Sequence, residues 1–286
     1  MPETDFDALA KAICGSHKLS FGSSLGSGSF KRVFRVDDSD GRELALKILR
    51  DPSPSERVNR EADALRRCDH PNIAQIHQLS TFKDGESEYT FILEEYLAGG
   101  SLASRAAETG VLDRGSIFAV GSRLNGALEH LATKNLVHRD IKPDNIMFRD
   151  AGLDPVLVDF GLVRDLAAAS LTQSWAARGP GTPYFSAPEQ LNNRKRLIDW
   201  RTDQFSLAVS LAFCRYGWHP YQNEGELAYA SGTVERVAMH GPRRSGFAAQ
   251  ATADGLPCLI QMTEPWSVSR FRRPATLVGS WLAQGD

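Results

Sequence analysis

The sequence predicts an α+β fold, with a small β-rich N-terminal part followed by a mostly helical C-terminal part. Short apolar runs that are typical of strands lie at residues 44–49 and 89–96, in the first third of the chain. Helical patterns dominate after that point. Apolar residues recur on one helical face from 116 to 131, and residues 202–213 are apolar nearly all round, as expected of a buried helix. With 286 residues and 42% hydrophobic content, the chain can form a sizeable core.

The composition narrows the classes of function. The formal net charge is −2 at pH 7, so we expect no nucleic-acid partner. No uninterrupted apolar run approaches the roughly 20 residues that a membrane span needs, so we expect no membrane segment in this chain and a cytoplasmic location. The four cysteines are far apart and lack C-x-x-C spacing, and we expect them to be reduced thiols.

The N-terminal region combines a short helix with two phosphate-binding features. Residues 1–20 carry a helical pattern ending at Gly15, which we interpret as an N-terminal extension. Residues 25–33 form a glycine-rich hairpin, in which Gly26 and Gly28 allow backbone N–H groups to approach phosphate oxygens that a Cβ would obstruct. Lys47 interrupts the apolar strand 44–49, and a buried ammonium is costly unless it reaches an anion.

A helix is predicted to follow that strand. Residues 53–56 form a capping box with proline at the first helical position, and Glu61 lies on the apolar face of the helix that begins there. The strand at 89–96 then runs into a linker that contains Gly99 and Gly100.

Residues 138–145 are the densest polar cluster in the chain. His138, Arg139 and Asp140 are followed by Lys142 and Asn145, between a helical run and a short apolar strand at 146–148. A second apolar strand at 155–158 leads into Asp159, Phe160 and Gly161. Asp140, Asn145 and Asp159 together offer a base and two oxygen ligands for a hard cation.

These motifs resemble those of eukaryotic-type serine/threonine protein kinases, from about Phe21 to the C-terminus. The resemblance implies a bilobal kinase fold in a single domain over residues 21–286. The N-lobe would span residues 21–96 and contain one helix, and the mostly helical C-lobe would span residues 97–286. It also implies Mg-ATP-dependent transfer of the γ-phosphate to serine or threonine hydroxyls of a protein.

The resemblance assigns roles to individual residues. Asp140 would deprotonate the substrate hydroxyl, Lys142 would stabilise the transferring group, and Asn145 and Asp159 would bind Mg²⁺. Lys47 would bind the α- and β-phosphates of ATP and pair with Glu61. The residues expected to bind ATP are Leu25, Gly26, Gly28, Val33, Ala45, Lys47, Glu95, Leu97 and Met147.

Two positions depart from the family pattern. Lys31 stands where the third glycine of the glycine-rich loop is expected, which adds a cation near the phosphates. Glu94 occupies the so-called gatekeeper position, which is usually apolar or threonine, and a carboxylate there must find a partner or face water.

The segment around residues 187–189 (Ala-Pro-Glu) resembles the end of a kinase activation segment. The resemblance implies that Glu189 pairs with Arg273, that Thr182 contacts Asp140, and that Asp203 binds the backbone near His138. Activation by phosphorylation is expected at Thr172 or Ser174, where a phosphate would pair with Arg139. Two copies of the chain could associate for this autophosphorylation.

Two alternatives stay open at this point. A pseudokinase or scaffold would bind nucleotide without turnover, although every group expected for catalysis is present in the sequence. Small-molecule kinases of the aminoglycoside and choline type share H-x-D-x-x-x-x-N, but they usually lack the 187–189 motif.

Overall fold

The computed structural model describes residues 4–27, 31–49, 68–159, 164–165 and 183–285. The chain divides into two compact units, one formed by Met1–Asp69 with Ala74–Ala98 and the other by His70–Ile73 with Gly99–Asp286. The first unit is built on one antiparallel sheet and the second is mostly helical, which confirms the predicted α+β fold class.

The smaller unit contains a five-stranded antiparallel sheet with the strand order β1-β2-β3-β5-β4. The strands are β1 (Ser20–Ser27), β2 (Lys31–Asp37), β3 (Glu43–Leu49), β4 (Ile76–Asp84) and β5 (Ser87–Glu95). β1 and β2 pair as the hairpin predicted from the glycine-rich segment. β5 is a central strand, because it pairs with β3 on one side and β4 on the other.

Alternation along the strands separates the two faces of this sheet. Phe34 in β2, Leu46 in β3 and Phe91 in β5 are fully buried in one hydrophobic cluster. Residues one position away, including Lys47, therefore lie on the opposite face. The sheet thus carries its charged site residues on the face that turns away from this core.

Helix α1 (Phe6–His17) belongs to the same core. Asp5 caps its N-terminus by accepting the N–H groups of Asp7 and Ala8, and Lys18 ends it in the left-handed conformation. The helix is two residues longer than the sequence pattern indicated. Its buried side chains pack with the sheet residues; they are Phe6, Leu9, Ala10, Ile13 and Cys14.

The larger unit is organised around two long helices. The described helices are α2 (Leu102–Thr109), α3 (Arg114–Thr133), α4 (Pro188–Leu191), α5 (Trp200–Tyr216), α6 (Ser231–Ala238), α7 (Phe247–Ala253), α8 (Cys258–Met262) and α9 (Pro274–Leu282). The apolar face predicted at 116–131 is buried in α3, and α5 is buried along nearly its whole length, as its all-round apolar pattern predicts. Asp113 and Asp199 cap these two helices.

Short strand pairs position the loop at 138–145. β6 (Leu136–Val137) pairs with β9 (Arg164–Asp165), and β7 (Ile146–Phe148) pairs with β8 (Pro155–Leu157). The loop therefore runs from the end of one pair to the start of the other, and a single 3-10 turn, Pro143–Asn145, closes it. The remaining 3-10 turns are Pro183–Phe185, Lys195–Leu197 and Ser267–Ser269.

Several sequence predictions concern residues outside the described ranges. They are the capping box at 53–56, Gly28, Glu61, Phe160, Gly161, Thr172, Ser174 and Thr182. Within the ranges that are described, no helix has the length and apolar character needed to cross a membrane. The four cysteines are free thiols, as predicted.

Candidate active site

Asp203 anchors the loop at 138–145 to α5. Its carboxylate accepts the backbone N–H of His138 at 2.7 Å and that of Arg139 at 2.8 Å, as the sequence resemblance implied. Burial raises the pKa of Asp203 to about 7, although these two N–H donors favour the ionised form. The anchor holds the N–H groups of two successive peptide units, so it defines where the loop leaves β6.

Within the loop, His138 is fully buried and its imidazole contacts two backbone segments. Its Nδ1 accepts the backbone N–H of Asp140 at 3.2 Å, and its Nε2 lies 3.0 Å from the carbonyl oxygen of Val158. One imidazole ring therefore ties Asp140 to the strand end that precedes Asp159. This contact requires the proton on Nε2, because Nδ1 acts as the acceptor.

Asp140, Lys142 and Asn145 form one cluster. Lys142 Nζ lies 3.3 Å from Asp140 Oδ2, and Asn145 Nδ2 donates to the same Oδ2 at 2.9 Å and to the Asp140 carbonyl oxygen at 2.8 Å. Burial raises the pKa of Asp140, while Lys142 and the Asn145 hydrogen bond work in the opposite direction and the charge of Asp159 raises it further. The carboxylate is thus held by two donors and repelled by a second acid.

The β7–β8 pair brings Asp159 towards this cluster. Ile146 pairs with Leu157, and the N–H of Val158 donates to the carbonyl oxygen of Asn145 at 3.0 Å, so Asp159 follows directly after that bond. Asp159 has φ = 68°, and Arg139 beside the cluster has φ = 70°. Residues other than glycine rarely adopt this left-handed backbone conformation, and those that do tend to occur at functional sites.

In the smaller unit, Lys47 is 7% exposed and forms an ion pair with Glu94 Oε1. Glu94 is also 7% exposed. The partner that sequence reasoning assigned to Lys47, Glu61, lies outside the described residues. The sequence indicated only that the Glu94 carboxylate must find a partner or face water. Because this pair spans two strands, its identity depends on their register.

The other residues predicted to bind ATP in the smaller unit lie on β1, β2 and β3 and at the end of β5. Leu25 is 43% exposed on β1, where Gly26 pairs with Val33, and Ala45 is buried on β3. The Glu95 backbone N–H donates to the Gln75 carbonyl at 3.1 Å, and the Glu95 side chain accepts the Gln75 N–H. The Glu95 N–H is therefore already used within the sheet edge, and Leu97 that follows is buried.

Met147, the remaining predicted ATP-binding residue, lies in β7 of the larger unit and is half-buried. It forms a backbone bridge with Ser101, the N-cap of α2. Nearby, the Gly99 N–H donates to the Phe148 carbonyl oxygen at 2.9 Å. These bonds attach the segment at 99–101 to β7.

The expected pair between Glu189 and Arg273 is wrong, because Glu189 binds Arg270. Arg270 Nη1 lies 2.7 Å from Glu189 Oε1 and Nη2 lies 3.1 Å from Oε2, which is a bidentate arrangement. Thr202 Oγ1 donates to Glu189 Oε1 at 2.9 Å. Arg273, the N-cap of α9, is exposed instead.

Sequence reasoning also missed the contact between this segment and the loop at 138–145. Gln190 Nε2 donates to the carbonyl oxygen of Arg139 at 2.8 Å, so the residue after Glu189 supports the peptide next to Asp140. Gln190 is 1% exposed. No local pattern marks it, because the bond joins residues 51 positions apart.

Residues 19–252 match the family model described as the protein kinase domain, which covers most of the chain. The chain belongs to the protein kinase domain family.

Curated relatives of this kinase domain carry serine/threonine kinase names. It is 30% identical over 285 residues to Serine/threonine-protein kinase PknL of Mycobacterium tuberculosis, covering 98% of this chain and 66% of that protein. It is 30% identical over 244 residues to Probable serine/threonine-protein kinase PknB of Bifidobacterium longum, covering 81% of this chain and 34% of that protein. For Serine/threonine-protein kinase pkn3 of Myxococcus xanthus, the identity is 29% over 80% of this chain and 43% of that protein. The kinase domain thus matches between about one third and two thirds of these relatives' length.

Proposed function

We propose that this chain transfers the γ-phosphoryl group of ATP to a serine or threonine hydroxyl of a protein. The observation that carries the proposal is the cluster in which Asp140 is held by Lys142 and Asn145, with Asp159 on the adjoining strand end. Phosphoryl transfer requires alignment, charge neutralisation and a proton acceptor, and this cluster contains a group for each. The names of the relatives support serine and threonine as acceptors.

Asp140 acts as the base in this proposal. Its side chain is 15% exposed, so one oxygen can reach a substrate hydroxyl while the Lys142 and Asn145 contacts hold the other. A carboxylate with a raised pKa is a better proton acceptor than a free one, and burial, with a smaller contribution from the charge of Asp159, raises the pKa of Asp140. Lys142 would lie beside the transferring group and offset its negative charge.

Asn145 and Asp159 would bind Mg²⁺. Asn145 fits this role because its Nδ2 is the atom that faces Asp140, so its side-chain oxygen is not committed to that contact. Carboxylate and amide oxygens are the hard donors that Mg²⁺ prefers. When bound, Mg²⁺ neutralises charge on the phosphates of ATP.

Lys47, Gly26 and the other residues named above would bind ATP. Gly26 does not have a positive φ, and a Cβ built there would meet no atom within 4 Å. The fold itself therefore does not require glycine at this position. Close approach of a phosphate to the backbone would explain it.

Phosphorylation at Thr172 or Ser174, by a second copy of the chain, is part of the same proposal. Arg139 is the basic residue next to Asp140, and its peptide is held by both Asp203 and Gln190. A phosphate paired with Arg139 would therefore act on a fixed point of the loop. Phosphopeptide mass spectrometry that found the segment unmodified in fully active protein would contradict this regulation.

The test is transfer from γ-labelled ATP and Mg²⁺ to a basic serine-containing peptide. We expect Asp140→Asn to lower the rate by about 10²–10⁴-fold, and Asp159→Asn to abolish transfer. Asp144→Asn is the matched control, because Asp144 lies in the same turn and is exposed.

The control should keep the wild-type rate. Transfer to an aminoglycoside or choline with none to protein would contradict the proposed acceptor. Mg-ATP binding without any transfer would instead support a nucleotide-binding scaffold.

A further inference from the structure

Glu94 and Lys47 meet on the face of the sheet that turns away from the hydrophobic core. In the register between β3 and β5, Lys47 lies opposite Ile92 and Ala45 lies opposite Glu94. Glu94 is therefore the diagonal neighbour of Lys47 on the same face, a distance that long side chains can bridge. Ala45 contributes only a methyl group opposite Glu94, which leaves room for the carboxylate to lean towards the ammonium.

We propose that Glu94 is a positioning residue for phosphoryl transfer, which holds the Lys47 ammonium charged and aimed through their ion pair. The inference rests on the proposed function, since it takes Lys47 as the cation that binds the ATP phosphates. It extends that function by giving the acidic residue at position 94 a specific task.

Stability alone does not explain this pair. Both side chains are 9% exposed, and transferring two charges from water to such a site costs several kcal/mol that their attraction only partly offsets. Replacing buried ion pairs by apolar residues is often neutral or stabilising. A charged pair at this place therefore indicates a requirement for the charge itself.

Two charged residues near this pair contact other groups. Arg35, which lies opposite Ala45, has its guanidinium 2.6 Å from Glu43 and 3.8 Å from Asp37. The Glu95 carboxylate accepts the Gln75 N–H. Of these three residues, Glu94 is the one whose carboxylate contacts Lys47.

The pair is also compatible with a bound phosphate. An ammonium has three N–H donors, so one lysine can contact a carboxylate and a phosphate at the same time. Because both residues lie on paired strands, the β3–β5 register sets the position of the ammonium. Loss of the Glu94 charge should therefore affect the reaction through Lys47 and not independently of it.

A double-mutant cycle tests this coupling. The variants are Glu94→Gln, Lys47→Met and both together, with Glu88→Gln as the matched control on the same strand, where Glu88 binds Thr81. We expect Glu94→Gln to lower kcat/KM for ATP about tenfold and to add little in the Lys47→Met background. Effects that add fully, or an active Glu94→Gln with wild-type kinetics, would overturn the proposal.

A second readout does not depend on activity. The acylation rate of Lys47 at neutral pH, measured by peptide mass spectrometry, reports how readily its amine loses the proton. Removing the Glu94 charge leaves a buried cation with less compensation, so we expect the labelling of Lys47 to accelerate at least about threefold in Glu94→Gln but not in Glu88→Gln. An unchanged rate would overturn the inference.

The two readouts separate the inference from the proposed function. If the wild type transfers no phosphate but Lys47 labelling accelerates in Glu94→Gln, the proposed function fails and the ion pair stands. If the wild type is active while labelling is unchanged and the cycle is additive, the role of Glu94 fails and the function stands. Glu94→Leu replaces the carboxylate by an apolar group of similar size, and serves if the glutamine variant does not fold.

Discussion

Replacing Arg270 by alanine removes the guanidinium that binds Glu189 inside the larger unit. Both terminal nitrogens of Arg270 donate hydrogen bonds to the Glu189 carboxylate. The guanidinium also donates to the carbonyl oxygens of Arg201 at 2.9 Å, Glu264 at 2.7 Å and Pro265 at 3.1 Å. Its side chain is 0% exposed, and that of Glu189 is 4% exposed. The variant would leave a buried carboxylate with Thr202 as its remaining described donor.

The expected loss of stability follows from that uncompensated charge. Breaking a buried ion pair by removing one partner costs about 3–5 kcal/mol, and the orphaned carbonyls place Arg270 at the upper end of this range. At about 2–4 °C per kcal/mol, the melting temperature should fall by roughly 6–20 °C. Arg270→Lys keeps the positive charge but cannot form the bidentate contact, so we expect an intermediate loss of stability.

Thermal unfolding followed by circular dichroism measures the difference, with Arg273→Ala as the control. Arg273 is exposed, and changes at such positions usually alter stability by no more than about 0.5 kcal/mol. An equal or larger loss in Arg273→Ala than in Arg270→Ala would refute the assignment. It would restore the pairing that the sequence pattern indicated.

Three further predictions test the site and its surroundings. Burial lowers the pKa of His219 to about 3, below its unfolded value of 6.5, so the unfolded state binds the extra proton between these values. The free energy of unfolding should fall by about 2 kcal/mol from pH 6.5 to pH 5 because of this group, and urea titrations of His219→Gln should lack that component. Gly99→Ala places a Cβ 2.0 Å from the Asp150 carbonyl oxygen, so it should cost about 1–3 kcal/mol in chemical denaturation, whereas a wild-type midpoint would contradict the close approach. Gly26→Ala meets no neighbour, so its melting temperature should match the wild type while its KM for ATP rises; a stability loss with unchanged KM would count against the phosphate role.

Local patterns in the sequence were enough for most of the secondary structure. The apolar runs of β3 and β5, the apolar face of α3 and the all-round apolar pattern of α5 are local features, which neighbours along the chain determine. The cluster of Asp140, Lys142 and Asn145 is local in the same sense, because its three side chains lie within six consecutive residues. The amino-acid sequence alone is therefore enough to predict this cluster.

The choice between distant partners was a matter of tertiary structure. Glu189 has two arginines three positions apart within reach of the same motif, and only packing against α5 decides that Arg270 is buried and Arg273 exposed. Lys47 and Glu94 meet because β3 and β5 pair in one register, and a shift of one residue would turn Glu94 to the other face. The sequence by itself determined which groups carry charge and which segments form helices and strands. Tertiary structure decided which buried charges pair, because the partner is selected by burial and strand register between residues far apart in the chain.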